Sequence, residues 1–465
     1  MIDFEAIDYK FLEREVDFYM TTLFPLNRSI LNTGVGKTLE ILQRLTEFRI
    51  LDIPSETKCF DWVVPDQWEV EEAFIEDEDK NRIIDFRNNN LHVLNYSTAV
   101  DQVMSYEELQ KKLYYLPQLP DAIPYKTSYY KKDFGFCLSY NQFLNLKRSQ
   151  KYHVVVKSTF TKGSIKVGEY VIKGKSPEEI LISCYTCHPS MANDSLSGVV
   201  LWAVLLKTLK SQTLNYTYRF VALPETIGAI AYLNLKEAEI RLKVKRGFVL
   251  TTVGGPGKFG YKESFKGNDL IDRCVVKAFG ELNLSFIKYP FDIYGSDERQ
   301  YSSLAFRIPC VTISKDKYYE YKEYHTSLDN LDFVRPENIM ESFKIYLNTI
   351  NILELSNSIF VSTNQACEPF LSQRNLFPTI GLTISNCEEI SSDHKTNLYE
   401  VNEEIRVTGM RIEEILWLMF HCDGINTILD ISEKTEIQVS NLYRTAIILV
   451  NQALLKEVNK EGDME

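Results

Sequence analysis

Apolar residues recur every three to four positions in LEREVDFYMTTLFPL and VGKTLEILQRLTEF, and this spacing predicts helix across residues 8–56, broken at Asn32-Thr33-Gly34. From Cys59 the rhythm changes to alternation. FDWVVPDQWEVEEAFIEDEDKNRIIDF and LHVLNYSTAV, interrupted by Pro65, predict a small β-rich unit that ends at the prolines of LPQLPDAIPYKT. Between about 126 and 355 strand and helix patterns alternate. HVVVKSTF and IKVGEYVIKG read as a hairpin, and EILISCY, YRFVAL, GFVLTTV and PCVTIS are short apolar runs suited to the middle of a sheet. Helical stretches separate them: SGVVLWAVLLKTLK, ETIGAIAYLNLKEAEI and NDLIDRCVVKAFGEL, with a long closing helix that starts at Pro336. This order implies an α/β sandwich with helices on both faces of its sheet. After a Gln-, Asn- and Pro-rich loop (362–380), RIEEILWLMF, TILDISEKT and VSNLYRTAIILVNQALL predict three helices running into a short strand, the outline of a winged helix-turn-helix.

Composition narrows the function classes. Charged residues make up 25% of the 465 positions and hydrophobic ones 45%, which excludes a largely disordered chain. A net charge of -12 with dispersed Lys and Arg argues against a protein built to grip nucleic acid, because phosphate neutralisation needs a basic face. No apolar run reaches the roughly 18–20 residues of a membrane span. The N-terminus is acidic and amphipathic, so a cytoplasmic protein without a membrane partner is expected. Nine cysteines, an odd number without dense spacing, fit free thiols in a reducing compartment.

Two of the six histidines stand in unusual company. His188, in CYTCHPSMANDSLSG, emerges where the apolar run EEILISCY ends, at the sheet edge where α/β proteins bind ligands. Asp194 follows at the mouth of an apolar helix, and His325 lies in EYHTSLDN before the closing helix. Two imidazoles and a carboxylate suit Zn²⁺ with a position left for water. Glu225, at the end of YRFVAL, is placed to take a proton from that water, although a lone strand-end Glu or His is also common on an ordinary surface. Cys184-Tyr185-Thr186-Cys187-His188 matches the haem-attachment pattern, yet it closes a strand and follows no export signal, so both cysteines read as strand residues. Gly254-Gly255-Pro256-Gly257 lacks the Lys-Ser/Thr of a phosphate loop and reads as a turn.

At these residues the chain resembles a family of aminopeptidase-like proteins. FDWVVPDQWEVEEAFI, IPYKTSYY, CHPSMANDSLSG, YRFVALPETIGAIAYL, GSDERQYSS and EYHTSLDNLDFV carry the likeness over nearly the whole length. It implies a three-layer α/β sandwich with a mixed sheet, similar to zinc exopeptidases and glutaminyl cyclases, at 1–57 and 126–360. A β-rich insert would occupy 58–125, and a linker with a winged helix 361–465. Carried over residue by residue, the resemblance makes His188, Asp194 and His325 metal ligands and Glu225 the general base.

The departures matter as much. The relatives' second metal-binding Glu corresponds to Thr226, and their other terminal Asp to Thr251 or Thr252. Each of two metals thus lacks a carboxylate, which predicts one zinc per chain. The aspartate that orients the first histidine is replaced by Ser190, and Asp329 is a candidate to orient His325 or simply to cap the next turn. Asp297, Glu298 and Arg299 occupy the place of a substrate-lining loop, with Arg299 suited to a carboxylate or phosphate and equally to an internal salt bridge. Two functions follow. One is a zinc hydrolase cleaving a peptide or amide bond in a small peptide or an amidated sugar or metabolite. The other is a metal- or sugar-binding regulatory module signalling through the winged helix. Residues 371–465 hold 16 acidic and 8 basic side chains and the third helix only Arg444, so the tail suits protein contact or homo-oligomer formation better than DNA.

Overall fold

The computed structural model describes residues 1–128, 131–374, 376 and 411–458. The chain divides into two compact units, one of residues 2–347 and one running from Asn348 to the C-terminus together with Met1.

The first unit is built on a mixed eight-stranded sheet: β1 (Arg49–Pro54), β2 (Ser164–Ile172), β3 (Glu179–Tyr185), β4 (Thr217–Leu223), β5 (Val244–Leu250), β6 (Phe259–Lys262), β7 (Phe286–Tyr289) and β8 (Cys310–Lys315). Their spatial order is β1-β2-β4-β3-β5-β8-β6-β7. β3 runs parallel to β4 and β5, and β8 parallel to β5, whereas β2 meets β1 and β4 antiparallel. Every residue of β3 and β4 is buried, which is why these strands read as unbroken apolar runs. Their two faces pack differently. Phe220 faces Trp202 of the helix Gly198–Leu209, and Phe248 faces Tyr346. Leu181, Val221 and Val249 point the other way, into a cluster with Ile227, Ala231 and Tyr232 of the helix Ile227–Leu235. The sheet is therefore covered on both sides, as its strand pattern predicts.

At the N-terminal ends of β3 and β4, buried Arg219 donates to Glu169, Glu179 and Glu239 at 2.8, 2.5 and 2.6 Å. A buried guanidinium is tolerated because each side of its fork meets a carboxylate.

Two expectations are corrected here. The stretch 8–56 is not helical throughout: helices span Tyr9–Leu23 and Thr33–Leu42, and β1 then pairs with β2 from Arg49 to Pro54. Nor do HVVVKSTF and IKVGEYVIKG form a hairpin. Lys151–Thr161 belongs to a separate four-stranded sheet between Gln67–Glu76 and Val100–Ser105, and the chain turns at Lys162-Gly163 into β2. The turn cannot close a two-residue hairpin because the Gly163 backbone is held by Ser55 and packs on the Gln67 side chain. Trp68 is fully buried in this accessory sheet, stacked on Tyr96 and donating to the Ser97 carbonyl at 2.9 Å.

The second unit contains helices Ile412–His421, Ile428–Thr435 and Val439–Asn451 and a small antiparallel sheet. In that sheet Ile359–Ser362 is flanked by Asp423–Thr427 and Leu455–Glu457. All three helices and the short terminal strand fall where the apolar spacing places them. No helix among the described residues is long and apolar enough to cross a membrane. Seven of the eight cysteines among the described residues are buried, and all eight are free.

Candidate metal centre

β3 ends at Tyr185, and the next twelve residues, Thr186–Ser197, run through the interior without regular strand pairing. Buried backbone of this kind must find partners elsewhere. Asp329 supplies two: its carboxylate accepts the N–H groups of Asn193 (2.5 Å) and Asp194 (2.9 Å). The Asn193 side chain braces neighbouring strand ends, donating to the Lys315 carbonyl at 3.2 Å and accepting from Gly254 N at 2.8 Å. Gly198 then starts the helix so close to β5 that a Cβ there would stand 2.3 Å from the Leu250 carbonyl oxygen. Only glycine fits that approach.

This scaffold brings His188, Asp194 and His325 together, with one ligand atom from each inside a 4.8 Å cluster. His188 Nε2 lies 3.9 Å from Asp194 Oδ2 and 3.8 Å from Glu225 Oε2. His325 Nε2 lies 2.9 Å from the same Asp194 oxygen, yet it is buried and makes no hydrogen bond. His325 has φ +54° and is clamped between neighbours. Tyr324 stacks on its ring at 3.9 Å, and its carbonyl accepts from Tyr125 N at 2.8 Å.

Burial dominates the electrostatics. It pushes His188 down to about 4, so the imidazole is neutral at pH 7. It would raise Asp194, but the two imidazoles and the Tyr185 hydroxyl outweigh it and hold that carboxyl down at about 2. Glu225 goes the other way: burial, reinforced by Asp297 and Asp194, lifts it well above the usual carboxylate range.

Two imidazole nitrogens and one ionised carboxylate oxygen, one nitrogen without a hydrogen-bond partner, make a donor set that fits zinc. A second group, Cys187, His188 and Glu225, shares His188. Cys187 sits beyond β3 and is no strand residue, which corrects the reading of both cysteines as strand positions. Its Sγ lies 3.4 Å from His188 Nδ1 and accepts the Glu225 N–H at 3.3 Å. Cys187 thus stands where an orienting carboxylate was missed, while Ser190 turns away to Asn90 Nδ2 at 2.6 Å. Asp329 does not touch His325 but fixes the Asp194 backbone instead, which corrects its expected role.

Glu225 closes β4. Thr226, next to it, has φ +63° and ψ -78°, and Ile227 N donates back to the Glu225 carbonyl at 2.8 Å. This is a tight γ-turn of the strained hand, a conformation that costs on the order of 1–3 kcal/mol. Asp297 Oδ1 holds it by accepting the Thr226 N–H at 2.7 Å.

Asp297 and Glu298, expected on a substrate-facing wall, are almost fully buried and are not among the residues that line the cavity. Glu298 pairs with buried Lys262 at 2.8 Å and accepts from Tyr318 Oη at 3.1 Å, which anchors the loop from behind. Arg299 does reach the cavity, a space of about 370 Å³ bounded also by Tyr125, Tyr185, His188, Glu225 and His325.

Tyr185 is the residue that sequence reasoning missed. Its hydroxyl donates to Asp194 Oδ1 at 2.5 Å and lies 2.5 Å from Thr251 Oγ1. The signal was faint, because a tyrosine closing an apolar strand reads as core.

Comparison with known proteins places this architecture. A protein of Clostridium acetobutylicum named, provisionally, for polysaccharide biosynthesis with an aminopeptidase-like domain is 36% identical over 436 residues, 94% of each chain. A crystal structure from the same organism, provisionally described as a peptidase, superposes with TM-score 0.85 at 34% identity, covering 97% of this chain and 99% of that one. The zinc aminopeptidase of Bacillus subtilis shares the fold at TM-score 0.54 and 13% identity over 74% of this chain and 94% of its own. Residues 18–356 match the family model described as domain of unknown function (DUF4910). With its large mixed sheet and its aminopeptidase-like relative, the chain belongs to the DUF4910 family of aminopeptidase-like proteins.

Proposed function

We propose that the protein is a metal-dependent hydrolase of a peptide or amide bond, with His188, Asp194 and His325 holding one zinc ion and Glu225 as general base. The observation that carries this is the convergence of two imidazole nitrogens and Asp194 Oδ2, with Glu225 Oε2 3.8 Å from His188 Nε2. A zinc ion there supplies a Lewis acid and an acidified water. The side chains do the rest. Cys187 and Asp329 fix His188 and Asp194, and the γ-turn at Thr226 directs Glu225 into the cavity. Glu225 takes the proton of the attacking water and passes it to the leaving nitrogen. Tyrosines on the walls exclude bulk water.

A single ion is supported by Tyr185 and Thr251, whose hydroxyls surround Asp194 Oδ1 and leave Oδ2 toward the histidines. The accessory sheet around residues 58–125 is read as an inserted domain, and the C-terminal three-helix unit as a winged helix-turn-helix serving protein contact. The substrate is a small peptide or amidated metabolite, and neither nucleic acid nor membrane is a partner.

Elemental analysis tests the centre: about one zinc per chain in the wild type, lost in His325→Ala. A Glu225→Gln variant should keep the metal and lose activity by about 10²–10⁴-fold on any amide the wild type cleaves. Metal-free wild type after incubation with excess zinc would sink the reading.

A further inference from the structure

We propose that the cavity recognises an oxyanion on its substrate, a carboxylate or phosphate bound by Arg299 and Lys126, so that the compound taken is an acylated acid and not a peptide with a free amino terminus. This deepens the amide-hydrolase reading and rests on it.

The charges on the cavity wall carry the argument. Two side chains there are basic, Arg299 and Lys126, and one is acidic, Glu225. Arg299 is exposed, and its terminal nitrogen makes one long bond of 3.4 Å to Thr226 Oγ1. Among the described residues no carboxylate lies within ion-pair distance of it, although Asp297 is two residues away. That carboxylate is spent on the Thr226 N–H and buried behind the loop. Most of the Arg299 fork therefore faces the cavity with its donors open, the geometry that grips a carboxylate or phosphate in two places. Lys126, on the opposing segment after Tyr125, is exposed and lies over the Tyr114 ring with Nζ 4.6 Å from its centroid, again without a carboxylate.

A free amino terminus entering this space would meet two basic side chains on the wall and find no acidic partner there but Glu225, whose charge burial disfavours and which the reaction itself engages. Like-charge contacts of this kind reject a partner as effectively as attractive ones select it. An oxyanion meets the reverse arrangement, with the neutral Tyr318 and Tyr324 hydroxyl-bearing walls offering nothing to repel it.

The test is calorimetric titration of the full-length protein as purified, its zinc content measured in parallel. The probes are N-acetylglycine, N-acetylaminoethyl phosphate, neutral N-acetylglycinamide and cationic glycinamide. At least one of the two anions should bind about tenfold or more tightly than the neutral amide, with glycinamide weakest. Which anion wins identifies carboxylate or phosphate as the natural group. Arg299→Gln should erase the preference and Arg299→Lys keep part of it, at unchanged melting temperature. Equal binding of charged and neutral probes, tighter binding of glycinamide, no binding of any probe, or an anion preference that survives Arg299→Gln would each overturn the proposal. A failed preference in protein that still carries about one zinc removes this inference alone, whereas loss of the zinc removes the hydrolase reading beneath it.

Discussion

The Tyr185 hydroxyl donates to Asp194 Oδ1 at 2.5 Å, so that only the other oxygen of Asp194 faces the two histidines. In the proposed centre, a carboxylate that could bridge two ions would thereby serve only one. Thr251, touching the same hydroxyl, completes the block, and no carboxylate stands at 226 or 251 to draw a second cation in.

The block can be lifted. The triple variant Tyr185→Phe, Thr226→Glu, Thr251→Asp should raise bound zinc from about one to about two per chain, because it restores a carboxylate to each ion and frees Asp194 Oδ1. Elemental analysis reads the outcome. A stoichiometry still near one in a folded triple variant would show that Tyr185 and the threonines do not set the count.

Asn193→Asp keeps the side-chain shape but replaces a donor with an acceptor opposite the Lys315 carbonyl. The expected loss is about 1–3 kcal/mol, from an unmatched buried pair. Zinc retention against a chelator should fall as well, since Asn193 braces the turn that carries Asp194. Urea unfolding and chelator competition measure the two effects, and an unchanged chelator response would separate the brace from the metal site.

Stability of the zinc-free protein should increase on acidification from pH 7.5 to 5.5. Burial pushes Asp297 and Asp329 up to about 7, against about 3.8 for an unperturbed aspartate, so between these values the folded chain binds more protons than the unfolded one. His188, lowered by burial to about 4, opposes this below its ordinary 6.5, as do His92 and His421, which burial also lowers, whereas Glu225 and Asp316, raised by burial, reinforce it. Asp194 contributes only below this window, because its carboxyl is held at about 2. Urea midpoints of chelator-treated protein at the two pH values provide the check. A midpoint that falls on acidification contradicts the assignment, and Asp297→Asn with Asp329→Asn should flatten the response.

The helix Val439–Asn451 offers Arg444 as its only basic side chain. Duplex DNA should therefore show no salt-dependent binding to the full chain in a gel-shift or anisotropy titration at about 50 mM salt. Tight binding that weakens steeply with added salt would instead make the C-terminal unit a DNA reader.

Much of this centre was legible in the sequence because apolar runs locate strand ends, and His188 and Glu225 each follow such a run directly. The central strands betrayed themselves by being buried on both faces. The strands Phe259–Lys262 and Phe286–Tyr289 did not, since four residues are too short a run to stand out, whether all buried as in the first or of mixed exposure as in the second, which forms the sheet edge. The roles of Tyr185, Cys187 and Asp329 were hidden for a different reason. Each depends on a partner brought up by tertiary folding: Thr251 lies 66 residues from Tyr185, and Asp329 lies 135 from the amide it holds. The false hairpin arose because Lys162-Gly163 has the length of a hairpin turn, while the strand before it had already found neighbours on both sides.

That strand, Lys151–Thr161, has an architectural consequence. Both of its pairing partners, Gln67–Glu76 and Val100–Ser105, come from the segment that resembles an insertion, yet the strand itself lies well downstream of it. Cutting out residues 58–125 would leave an eleven-residue ribbon with two bare edges, joined by two residues to the main sheet. Such a ribbon invites pairing with other copies of itself. The accessory sheet is thus woven into its host, and a trimmed core of this protein is better obtained by redesigning that ribbon than by deleting the segment that covers it.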